Sequence, residues 1–153
     1  MKKIFSMMMA CLLVVSVCQA QSYRKEAIDC LGTEGDGSQT LRVTGIGKNK
    51  ADAIEQAKKD AVAAVIFEGI HGGMSGCETR PLTYERDARR NHEDYFDVFF
   101  RDNGMYSQFV TFDDRKIRSN TKVKSKAFKS YRVTVRVLRP ELKRRLQEDG
   151  IIK

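Results

Sequence analysis

TLRVTGIGKNKADAIEQAKKDAVAAVIFE, residues 40–68, changes its hydrophobic period part-way along, and that change decides the fold. From Thr40 to Gly47 apolar and polar residues alternate, with Leu41, Val43 and Ile46 the inward candidates. Alternation with β-branched residues predicts a strand, and Gly45 and Gly47 mark its end or a bulge. Asn49 then has the side chain to cap a helix, and Asp52 sets a negative charge near that helix's positive end. Ala51, Ile54, Ala57, Ala61, Val65 and Glu68 recur at helical spacing, with Val62 and Ile66 widening the stripe. Lys50, Asp52, Glu55, Lys58 and Lys59 form the opposite side. The spacing predicts a helix over 50–68 whose small inner residues let it lie close on a sheet.

Downstream, Gly69–Leu82 reads as a loop, with Gly72, Gly73 and Gly76 before Cys77 and Pro81 closing it. A glycine-rich loop cradles phosphate when it joins a strand to a helix start; this one leaves a helix end and lacks the following Lys-Ser/Thr. A second helix is expected from Thr83 to about Asp102, stopped by Asn103-Gly104. Tyr106–Phe112 is β-prone, and Asp113-Asp114 makes a turn. From Lys122 to Val137 one parity persists: even positions hold Lys122, Lys124, Lys126, Phe128, Ser130, Arg132, Thr134 and Arg136, odd ones Val123, Ser125, Ala127, Lys129, Tyr131, Val133, Val135 and Val137. This predicts one long strand with a wet basic face and a buried face, bent near Phe128-Lys129. A hairpin at Lys129-Ser130 is the alternative and lacks turn residues. Pro140 opens a last helix to about Asp149, packed through Leu142 and Leu146 and stopped by Gly150.

Upstream, residues 1–20 have the plan of a secretory signal peptide. Lys2 and Lys3 precede the uncharged run Ile4–Val17, and Cys18-Gln19-Ala20 sets up cleavage before Gln21. A membrane anchor is the rival, but the run is shorter than the roughly 20 apolar residues of a spanning helix. Lipidation, the other rival, wants a small residue before its cysteine; Cys18 follows Val17, and Cys11, after Ala10, leaves too short a run. Residues 21–39 are expected to be an exposed lead-in, and 40–153 a single domain with a hydrophobic core. The formal charge of +8 falls to +6 once Lys2 and Lys3 leave. Of four cysteines, Cys30 and Cys77 remain. In an oxidising compartment they pair most simply with each other, the rival being a reactive or metal-binding thiol.

No HExxH, GxSxG or CxxC occurs, and no catalytic residue, cofactor or metal is expected. His92, beside Glu93 and Asp94, reads as solvated; Asp113-Asp114 reads as turn residues rather than a cation site. Glu85, Asp87, Glu93, Asp94, Asp97 and Asp102 offer carboxylates for sugar cleavage, but read more simply as a helix's wet side. The binding hint is basic: twelve cations, Lys116 through Arg145, face only Glu141 within 116–145. A field of one sign attracts polyanions, so Lys122, Lys124, Lys126, Arg132, Arg136 and Arg144 are the candidate residues. Charge that keeps a strand edge from pairing is the competing explanation.

Val43-Thr44-Gly45-Ile46-Gly47, with Ala51, Ala53, Ala57 and Asp60-Ala61, resembles a pattern of small bacterial envelope proteins. That family includes the amino-terminal domain of the flagellar assembly protein FlgT and related lipoproteins. Tyr131–Val137 resembles its returning strand. The loop 69–82 and the charged second helix depart from the pattern, and a lipobox is lacking. The resemblance implies an exported, non-enzymatic assembly-type domain and assigns no site residue. The expectation is an α+β fold: a small antiparallel sheet of three or four strands with the Ala-rich helix and further helices on one face. The expected function is a periplasmic or surface-associated structural or adaptor domain with an envelope protein partner. Binding of polysaccharide, lipid head groups or nucleic acid is the alternative; a hydrolase or an inhibitor of one has no motif behind it.

Overall fold

The computed structural model describes residues 28–112 and 129–153; residues 1–20, expected to be a signal peptide, and Asp113-Asp114, Lys122, Lys124 and Lys126 lie outside them. Strand β1 (Asp29–Thr33) turns into β2 (Gln39–Gly47), and helix α1 (Lys50–Ala63) runs on through a π-helical turn, Ala64–Glu68. The two-residue β3 (Gly72–Gly73), short helices α2 (Ala88–Asn91) and α3 (Glu93–Phe99), a 3-10 turn (Met105–Phe109) and β4 (Val110–Phe112) follow. Strand β5 (Lys129–Val137) and helix α4 (Arg139–Glu148) complete the described chain.

The fold is α+β, as expected, but its sheet has five strands in the order β3-β1-β2-β5-β4, and one pair, β1–β3, is parallel. The centre is the antiparallel β2–β5 ladder, in register from Gln39↔Val137 to Gly47↔Lys129. Both Lys129 and Ser130 pair with β2, which rules out a hairpin there. Leu41, Val43, Val133, Val135 and Val137 point to one face, where α1 packs on both strands. Ile46 is on the other face, half-buried, against expectation.

Asn49 caps α1 as its position predicts: its Oδ1 accepts from the Asp52 amide at 2.9 Å, while Asp52 Oδ2 accepts from the Lys48 amide at 2.8 Å. Ala53, Ala57 and Ala61 are wholly buried, whereas Ala51 is exposed. Gly45 explains the alanines. A Cβ there would strike the Ala53 carbonyl and come within 2.8 Å of the Ala57 Cβ, so helix and strand touch backbone to backbone. At the far end the π turn leaves carbonyls unpaired within the helix. Leu82 and Thr83 satisfy two of them, their amides donating to Val65 and Ile66 at 3.0 Å each.

Three expectations need correction. Residues 28–39 are no exposed lead-in: Asp29–Thr33 is a strand, and Cys30, Ser38 and Gln39 are buried. The glycine-rich stretch is the β1–β2 turn, closed by Glu34 and Ser38 backbone bonding at 2.8 Å. The second helix does not span 83–102. Asp87 sits at φ 59 and His92 leaves helical geometry, so two short helices form around aromatics that share no single stripe. Phe96 and Phe99 are fully buried, Phe96 meeting Phe67 edge-on at 4.8 Å, and Asn103 (φ 56) ends the segment. Finally, Met105–Phe109 is a 3-10 turn, which buries Tyr106 completely and hands its hydroxyl to Glu55 on α1.

The Cys30–Cys77 disulfide is formed, between Cα atoms 6.3 Å apart. It fixes the 72–77 segment to β1, where Gly73 (φ 107) passes so close that a Cβ would meet the Cys30 backbone. Helix α4 docks through Leu142 and Leu146 as predicted, and Gly150 (φ 72) ends it. Among the described residues no helix is long and apolar enough to cross a membrane.

Candidate binding surfaces

Among the described residues, the cations grouped by sequence do not form one surface. Arg132 and Arg136 are on β5, on the sheet face away from α1, which is called the outer face below. Arg136 is committed: its Nη2 donates to Asp36 Oδ2 at 2.7 Å and its Nε to Ser38 Oγ at 2.6 Å. Ser38 and then Arg136 hold the Asp36 carboxyl below its ordinary pKa. Arg144 is on α4, away from that row, with Glu148 at 3.7 Å. Arg145 donates to Asp149 at 2.8 Å, and Arg139 to the Arg80 carbonyl at 2.8 Å. The 116–145 window stops just short of Glu148 and Asp149, which answer the helix cations.

The described residues hold 18 Lys and Arg against 17 Asp and Glu, a net +1. Residues 113–128 hold six cations against Asp113 and Asp114, and residues 1–27 four against Glu26. The excess positive charge therefore belongs to the sequence outside the described domain.

The candidate carboxylates are exposed, and three of them, Glu85, Asp87 and Asp102, are engaged. Glu85 accepts from Asn91 at 2.6 Å and faces His92 at 3.3 Å, and Asn91 foremost lowers its pKa. Asp102 pairs with Lys59 at 2.6 Å, which lowers its pKa too. Asp87 has Arg90 at 3.8 Å. A general acid for sugar cleavage needs a raised pKa, so neither Glu85 nor Asp102 suits that role. Glu85 and Asp87 line a recess of about 240 Å³ with Asp60, Phe67, Glu68 and Arg89. Among the described residues no group of three or more His, Cys, Asp or Glu is placed to hold a metal ion.

What sequence reasoning missed is Arg42. It is exposed on the outer face of β2, directly opposite Thr134 and so diagonal to both Arg132 and Arg136. The even positions of β2 and of β5 were both readable; their shared face needed the pairing. No family model, curated protein or solved structure matches the chain.

Proposed function

We propose that the chain is an exported, non-enzymatic domain of the cell envelope, periplasmic or surface-associated, working as a structural or adaptor part. The observation that carries this reading is the Cys30–Cys77 bridge, with Cys30 wholly buried between β2 and the 72–77 segment. Such bridges persist outside the cytoplasm. The leader-like residues 1–20 and the likeness to small envelope proteins point the same way. The test is capture of the tagged protein from envelope fractions after mild cross-linking. One envelope protein should be recovered reproducibly from the native chain and lost from a Cys30→Ser/Cys77→Ser variant. Reproducible absence of any such partner counts against the reading.

A second reading, polyanion binding, is favoured by Lys116, Arg118, Lys122, Lys124 and Lys126, which no acid interrupts, and by the arginines of the outer sheet face. Its signature is affinity for an anionic polymer that falls steeply with salt.

A further inference from the structure

Four residues of β2 and four of β5 make the centre of the outer face: Thr40, Arg42, Thr44 and Ile46 beside Arg136, Thr134, Arg132 and Ser130. Diagonal positions on such a ladder are about 7–8 Å apart, so Arg42 has an arginine on each diagonal of β5, with Asp29 of β1 directly opposite on its other side. Like charges set this close favour an anion between them. Arg132 and Thr44 have interactions of their own and Arg136 is held by Asp36 and Ser38, so the row is braced. Arg42 makes no ion pair among the described residues.

One hydroxyl adds a second, independent sign. Ser130 is 7% exposed, and its Oγ is buried without a hydrogen-bond partner. Thr134, 5% exposed, sits between Arg132 and Arg136. Buried hydroxyls are normally satisfied, so an orphan beside an arginine row is a donor waiting for an acceptor.

We infer that this face binds an anionic glycan, its sulfate or phosphate groups lying along the Arg42–Arg132–Arg136 row and meeting the Ser130 hydroxyl. A single nucleic-acid strand is the lesser fit, because such strands are held by stacking on aromatic rings. Tyr131 and Phe112 belong to the positions facing α1, and none of the eight residues is aromatic. The inference rests on the polyanion reading and adds to it a site, Arg42, that the basic sequence run does not contain.

The experiment titrates the mature chain with dextran sulfate, dextran phosphate, neutral dextran and oligothymidylate across a salt series. Both charged dextrans, or the one carrying the natural anion, should bind, and neutral dextran should not. Arg42→Gln and Arg132→Gln should each weaken binding roughly five- to tenfold and flatten the salt slope by about 1. Ser130→Ala should weaken binding while leaving the melting temperature unchanged or higher, since the hydroxyl it removes has no partner. Arg90→Gln, on α2, should change nothing. Charged-dextran binding that survives both arginine variants overturns the site while leaving the polyanion reading to residues 116–126. Binding of oligothymidylate alone overturns the glycan, and binding of no polymer overturns both.

Discussion

Gly45 and Asp149 show how much single residues decide here. At Gly45 the ladder and α1 meet with no room for a methyl, so Gly45→Ala must push the helix off the sheet. Overpacking of this kind costs up to about 3 kcal/mol, read as a lower urea midpoint with an unchanged slope. Asp149 ties α3 to α4: Tyr95 Oη donates to its Oδ2 at 2.6 Å and Arg145 Nε at 2.8 Å. The Tyr95 hydroxyl foremost, and Arg145 with it, hold the Asp149 carboxyl below its ordinary pKa. A depressed carboxylate stabilises fully above its unfolded value of about 4, and that contribution disappears as pH falls through the folded value. Asp149→Asn should therefore cost about 1 kcal/mol at pH 7 and less and less below pH 4, measured by urea unfolding across pH 2–7. The Tyr95–Asp149 bond spans 54 positions, and no spacing rule announces it.

At the scale of elements, legibility followed periodicity. Strand β2, helix α1, strand β5 and helix α4 each carry a period long enough to read; β2, α1 and α4 formed where the pattern placed them, and β5 did over 129–137, the part of its expected span that is described. Segment 83–109 defeated the same reasoning because its aromatics answer to one another, not to a helix face. Phe99 stacks on Phe109 at 6.1 Å and Phe100 on Tyr106 at 6.0 Å, contacts made only after the chain turns at Asn103. Strand β1 was hidden differently. Its glycines suggested a loose lead-in, and its stability comes from pairing and from the disulfide rather than from propensity. Reduction should accordingly weaken the fold by roughly 3–4 kcal/mol on the loop-entropy account. Denaturant midpoints with and without reductant measure that, and equal midpoints would show β1 to be held by the sheet alone.

Across the whole molecule, charge and core are segregated. The described domain is almost neutral, with the acids Glu148, Asp149 and Asp36 holding arginines that a sequence window counts as a free basic field. Of the predicted cations the sheet's outer face keeps Arg132 and Arg136, and the proposed site adds Arg42 from β2, about ninety positions earlier. Strand faces were readable from alternation; which strands adjoin was not, because pairing is a property of the folded sheet. The central claim is that this domain matures outside the cytoplasm with Cys30 and Cys77 joined. Its most direct test is an intact mass, with and without alkylation, of the native protein recovered from cell fractions. The account predicts an exported chain beginning at Gln21 that takes up no alkylating agent until reduced. A full-length cytoplasmic chain with two free thiols would contradict it.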